Sequence, residues 1–180
     1  MAVSYFMDFA DAKGWILWQS VSNAFGAPFM PNILVDADAC PVKEEVFKVA
    51  YRLNTPVTLV ANSYLRTPNH PLISMQVVSD GFDAADDWIA ETATPSSVVI
   101  TADILLAGRC IEVGATVLAP TGKPFNSSNI GGAIATRAIM ADLRAGLEQT
   151  SGPAPFSNKD RSHFLNALDR ELQRLKREGH

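Results

Sequence analysis

Four short apolar runs recur along this chain: ILVD at 33–36, VTLVA at 57–61, SVVIT at 97–101 and ATVLA at 115–119. Their hydrophobic residues sit at consecutive rather than alternate positions, as required of strands buried on both faces. The stretches between them carry a different period. Val46, Val49, Ala50 and Leu53 recur at helical spacing, so residues 42–53 are predicted to be a helix that Thr55-Pro56 breaks. Residues 83–93 and 104–113 read as helices too, the second stopping at Gly114 as a helix-ending glycine. Strand–helix alternation of this kind builds a parallel sheet covered on both faces.

A weaker, more alternating run at 72–78 adds a strand after a proline-bearing loop at 62–71. Ten residues are close to the shortest parallel crossover, which leaves an antiparallel third strand as the alternative. Residues 129–147 are expected to be helical, although Gly131-Gly132 weakens the start. A Gly/Pro/Ser loop follows, and Ser157-Asn158-Lys159-Asp160 reads as a capping box opening a last helix to about residue 177. The expectation is a three-layer α/β/α domain on a mostly parallel five-stranded sheet, spanning residues 30–180.

The chain has 180 residues, enough for one domain with a substantial core. Residues 1–29 differ: three aromatic clusters with only Asp8, Asp11 and Lys13 as charges. They lack the basic start and unbroken apolar run of a signal peptide, and no stretch approaches a membrane span. They read as an appended arm with one short amphipathic helix around residues 8–19, and Met30 as a candidate natural start. Cys40 and Cys110 lack metal-ligand spacing and read as reduced, half-buried thiols of a cytoplasmic protein. A net charge of −4 gives no overall attraction to nucleic acid, so RNA binding would need a local basic face.

The chemistry-bearing residues are acids placed where strands end. Asp36 and Asp38 close the first strand, and alternation aims both the same way. Asp83, Asp86 and Asp87 follow the third, and Asp103 follows the fourth. In open parallel sheets that edge is where ligands bind. Several carboxylates in one cleft cannot all stay ionised without raised pKa values. An oxygen-only set without His or Cys suits Mg²⁺ or Mn²⁺ and metal-assisted phosphodiester hydrolysis. Against this, Asp83 and Asp103 each precede a helix and could simply cap it, Asp80 before Gly81 reads as a turn residue, and Asp87 as a solvated position. Caps do not account for Asp36 and Asp38 together. Thr101, Asn62, Arg66 and Arg137 are the candidate substrate contacts, with Arg144 seven residues beyond Arg137. The cations of the last helix alternate with acids and read as a salt-bridged face. His70, His163 and His180 sit at no triad spacing.

ILVDADACPVKEEV, VTLVANSYLRTP, GFDAADDWI, VVITADILLA, GATVLAPTG and the tail from Arg137 to Phe164, with its M-x-x-L-R and GP-x-x-F spacings, resemble the uncharacterised bacterial YaiI/YqxD family over residues 31–168. That family is grouped by fold with PIN-like, Rossmann-like domains, which resemble Mg²⁺-dependent ribonucleases. The resemblance implies that Asp36, Asp86 and Asp103, with Thr101 beside the last, match the PIN aspartates. Asp38 and Asp83 belong to the YaiI-like motif itself. The further helix-borne Glu of many PIN nucleases is absent, since residues 62–79 hold no acid, leaving Asp38 and Asp83 as substitutes.

The function expected is therefore a Mg²⁺- or Mn²⁺-dependent ribonuclease using Asp36, Asp38, Asp86 and Asp103, with Asp83 as a further ligand. Two alternatives stand. A haloacid-dehalogenase-type phosphatase would use Asp36 as nucleophile and Asp38 as acid/base, although Cys40 occupies the place of that motif's Thr. A non-catalytic RNA- or partner-binding module would keep the acidic cleft without turnover.

Overall fold

The computed structural model describes residues 30–38, 40–78, 81, 83–146 and 156–179. The predicted arm at 1–29, Asp80, His180 and most of the loop after residue 146 lie outside the described residues, and Arg144 lies outside the described side chains. The strands are β1 (Asn32–Asp36), β2 (Val57–Ala61), β3 (Ile73–Val77), β4 (Ser97–Ile100), β5 (Thr116–Leu118) and β6 (Pro124–Phe125). The helices are α1 (Lys43–Leu53), α2 (Ala84–Thr92), α3 (Ile104–Glu112), α4 (Ile130–Gly146) and α5 (Asn158–Glu178).

The strands form one sheet in the order β3-β2-β1-β4-β5-β6. All pairs are parallel except β5–β6. The short crossover at 62–71 thus does return β3 parallel to β2, with Val57 opposite Ile73. The sheet has six strands rather than the expected five. Two residues, one of them a proline, carry no periodicity from which a strand could be read, and proline is tolerated at this edge because it owes the ladder no N–H there.

Alternation within each strand sorts the core into two layers. Ile33 and Val35 of β1, Leu59 of β2 and Ile100 of β4 face α1 and α5, meeting Val46, Val49, Phe164, Leu168 and Leu172. Leu34, Val60, Val99 and Val117 point the other way, onto Ile89 of α2 and Leu106 and Cys110 of α3. Every one of these side chains is essentially buried, and a fully buried aliphatic residue contributes about 1.5–3 kcal/mol relative to exposure. This is the three-layer architecture, and its cause is the doubly buried strand pattern.

Helix ends follow local chemistry. At the end of α3, Gly114 takes φ 83°, with Ala115 N–H donating to Cys110 O and Gly114 N–H to Ile111 O. That is the paired-bond closure expected at a helix-ending glycine. Asn54 does the same for α1 at φ 48°, so the helix stops one residue before the Thr55-Pro56 pair. The capping box of α5 is present, Ser157 and Asp160 exchanging bonds. Helix α4 starts at Ile130 and runs through both glycines. Ile130 and Ile134 lie over Gly108 of α3, where a Cβ would meet them at ordinary contact distances of 3.8 and 3.7 Å. On the last helix, Arg174 pairs with Glu171 and Glu178, as its charge pattern predicts, while Arg161 reaches the buried Glu45 of α1 at 3.1 Å. Both cysteines are free and buried, more deeply than the half-burial expected, because Cys40 and Cys110 each join a core layer. No helix among the described residues is long and apolar enough to cross a membrane.

Candidate functional site

In the strand order, the connection runs outward through β2 and β3 on one side of β1 and through β4, β5 and β6 on the other. The order reverses between β1 and β4, and a crevice forms at the carboxyl ends of such a pair. Asp36 ends β1 and Thr101 follows β4, side by side at that point, since Val35 is in register with Ile100. On the α2/α3 face of β1, Asp36 comes two residues after Leu34, at the carboxyl end of the strand.

The Thr101 hydroxyl donates to Asp36 Oδ2 at 2.8 Å and accepts from Asp103 N–H at 2.9 Å. One buried threonine therefore ties two of the predicted acids together. Asp103 caps α3: its Oδ1 accepts from Leu105 N–H at 2.7 Å and Leu106 N–H at 3.1 Å. Its other oxygen lies 3.6 Å from the Arg137 guanidinium of α4. The capping role and the site role thus coexist in one carboxylate. Asp83 precedes α2 but makes no capping bond, so the cap reading fails for it.

Electrostatics shows which acids meet. Burial raises the Asp36 carboxyl above its ordinary range; the Thr101 hydrogen bond opposes this, and the charges of Asp38 and Asp103 add to it. Asp86, in the first turn of α2, is pushed up to about 6 by burial and then by Asp36, Asp103 and Asp83. Four acids from three segments, Asp36, Asp83, Asp86 and Asp103, therefore share one field. Asp38 stands to one side. It is exposed and accepts from Asn62 N–H at 3.2 Å, so it acts on Asp36 but is not among the charges that raise Asp86. Asp87 turns away to Arg109 at 2.8 Å, a surface pair.

The predicted polar contacts divide in the same way. Thr101 and Arg137 join the cluster. Asn62 sits beside Asp38 with its Oδ1 buried and without a partner among the described residues. Arg66 is exposed in the loop leaving β2. Lys43 was missed by sequence reasoning: its ammonium donates to Ala37 O at 3.0 Å, between the two motif aspartates. A lysine in the first turn of the helix that follows a D-x-D pair is the signal that could have found it. Cys40 is no nucleophile, since burial pushes its thiol up to about 11. His70 stacks near Tyr51 and His163 contacts Thr121 O, both away from the acids.

A hard divalent cation suits this donor set in chemistry, being all oxygen, with the Asp36 and Asp86 carboxyls raised and an orphaned amide oxygen on Asn62. Among the described residues, however, no three His, Cys, Asp or Glu side chains stand close enough to ligate one ion. What fits is an ion held by one or two carboxylates and otherwise by water, the usual habit of Mg²⁺.

Fold and site together define an α/β/α domain with an acidic cluster at the switch point of its sheet. The profile of the "Uncharacterized BCR, YaiI/YqxD family" matches residues 34–174, and the chain belongs to that family. A UPF0178 protein of Sphingopyxis alaskensis is 66% identical over 148 residues, 82% of this chain and 96% of that protein. UPF0178 proteins of Jannaschia sp. and Rhodopseudomonas palustris are 58% and 55% identical, covering 80% and 82% of this chain and 94% of each relative. No solved structure matches the chain.

Proposed function

We propose that the protein is a divalent-metal-dependent nuclease that hydrolyses RNA phosphodiesters. The observation that carries this is the shared field of Asp36, Asp83, Asp86 and Asp103 at one end of the sheet. Carboxylates gathered so that Asp36 and Asp86 are both raised are destabilising unless a cation or a proton transfer uses them. The likeness to PIN-like nucleases belongs to this reading. Asp36, Asp86 and Asp103 are the residues it names, and Asp83 supplies the fourth charge in place of the missing Glu.

Asp36 and Asp86 would hold Mg²⁺ or Mn²⁺ with water completing the shell, and Asp103 and Asp38 would flank the ion without ligating it. The bound ion would neutralise charge on the phosphoryl group and acidify a water. Thr101 donates to Asp36 Oδ2, and among the described residues no donor meets the other oxygen. Asp103 keeps one oxygen for the cap, so its second oxygen alone faces Arg137 and the crevice. Arg137, 3.6 Å from Asp103, would bind a phosphate oxygen, and Lys43, bonded to Ala37 O, would add positive charge near the first motif. No residue specifically favours the phosphatase alternative.

The test is Mn²⁺-dependent cleavage of labelled single-stranded RNA by the wild type and by Asp36→Asn. Cleavage by the wild type, reduced at least about 100-fold in the variant, is expected. Absence of cleavage, or equal cleavage by both proteins, overturns the assignment.

A further inference from the structure

A groove of ≈ 600 Å³ opens beside the carboxylates, between α4, the β4–α3 turn and β6. Ala102 and Ile104 line its inner end, so Asp103, between them in the chain, stands at the junction of groove and cluster. Arg137 belongs to both, lining the groove while it faces Asp103 at 3.6 Å. The groove is therefore an extension of the acidic crevice rather than a separate cavity.

Its lining has a particular chemistry. Two cations, Lys123 and Arg137, stand on it in a chain whose net charge is −4. Lys123 is exposed and forms no ion pair among the described residues. Phe125 and Met140 give it apolar surface, Met140 being 49% exposed. The polar side chains are already engaged: Asn129 donates to Pro124 O at 3.0 Å and accepts from Asn126 N–H at 3.0 Å, and Thr136 donates to Gly132 O at 2.8 Å. Little is left to read a ligand by directed hydrogen bonds. Free positive charge beside apolar and aromatic surface, with no unspent polar readers, is the composition that binds a charged backbone and stacks bases without sequence preference.

We infer that this groove seats the nucleotides flanking the scissile phosphate of a single strand, with phosphates at Lys123 and Arg137 and a base against Phe125 and Met140. The inference rests on the nuclease reading and adds to it where the strand lies. The volume has room for about one to two nucleotides. Stacking there requires an unpaired base, so a duplex fits poorly.

The test is fluorescence anisotropy with a labelled eight-nucleotide oligouridine and no added metal, using the full chain with Asp36→Asn so that nothing is cut. Onto it are added Lys123→Glu or Met140→Asp, both at exposed positions where folding is undisturbed. Lys48→Glu on the far face of α1 makes the same charge change away from the groove. Lys123→Glu is expected to weaken binding about 10-fold or more and to lower the salt slope by about one or two. Met140→Asp is expected to cost about 5-fold or more, and Lys48→Glu less than about 2-fold. The deoxy strand should bind like the ribo strand, and a duplex of the same length should bind weakly. Equal loss in Lys123→Glu and Lys48→Glu, equal duplex binding, or no binding by any protein overturns the inference. So does a change of oligomeric state in Met140→Asp with strand binding intact, which would assign this face to a second copy of the chain. Cleavage that depends on Asp36 but ignores Lys123 would sink the groove and leave the nuclease standing. Groove binding without any metal-dependent cleavage would do the reverse.

Discussion

At the scale of single residues, Asp86 and Thr101 make the site testable without a substrate. The Asp86 carboxyl titrates near 6 in the folded chain, against 3.8 ordinarily. Between those values the folded state binds more protons than the unfolded one, so the metal-free protein must lose stability as pH rises through that window. Asp86→Asn removes the ionisation. It should flatten the dependence and leave the variant more stable at pH 7, by about 1 kcal/mol once screening at this half-exposed position is allowed for. Urea midpoints measured from pH 4 to 7 decide it; a wild-type profile no steeper than the variant's would refute the shared field. Thr101 is buried and spends its hydroxyl on Asp36 and on Asp103 N–H. Thr101→Val keeps the volume and strands both partners, at a cost of about 1–3 kcal/mol. The same change should push the Asp36 carboxyl higher still, which NMR titration of that side chain would register. That Thr101 matters was visible from its T-x-D setting, but its double hydrogen bond was not, because bond partners belong to the packed crevice rather than to spacing.

At the scale of elements, most of the fold was legible, and the exceptions share a cause. The doubly buried strands announced themselves because their apolar runs leave no polar face. The end of α3 was readable because only a residue free of a Cβ takes φ 83° easily. By contrast, β6 is set by Leu118 and Val117 pairing with Pro124 and Phe125, a tertiary contact with no local period. The β5–β6 turn shows the same dependence. Gly122 has φ 80°, and a Cβ there would stand 2.8 Å from the backbone N and Cα of Phe164 in α5. Nothing near Gly122 in the chain signals that a helix forty residues later needs the space. Gly122→Ala should therefore cost at least about 2 kcal/mol, from left-handed strain plus displacement of α5. Thermal unfolding of the variant beside the wild type measures it, and a loss below about 0.5 kcal/mol would show that α5 does not rest on this turn.

At the scale of the whole molecule, the site exists because of strand order. Asp36, Asp86 and Asp103 come from three places in the chain, and only a sheet that reverses between β1 and β4 delivers them to one end. Sequence reasoning could predict the end of the sheet from the acids' position after strands. It could not predict that Asp38 would turn toward β2 and Asn62, or that Asp103 would divide its oxygens between a cap and the crevice. The repulsion that remains has a consequence for the entire fold. A cation that binds only the folded state adds stability equal to RT ln(1 + [L]/Kd), about 1.4–2.7 kcal/mol at ten to a hundred times Kd. For a chain of this size that corresponds to a rise of roughly 3–10 °C in melting temperature. Millimolar Mn²⁺ or Mg²⁺ should produce such a rise at pH 7.5, and Na⁺ at the same ionic strength is the control for screening. The rise should shrink below pH 6, as Asp86 and Asp36, both raised, take up protons that compete with the ion. It should vanish in Asp36→Asn, which by relieving repulsion should already melt above the metal-free wild type. A melting temperature indifferent to both metals, or raised equally in the variant, would mean that the four carboxylates hold no cation, and the hydrolytic reading would lose its foundation.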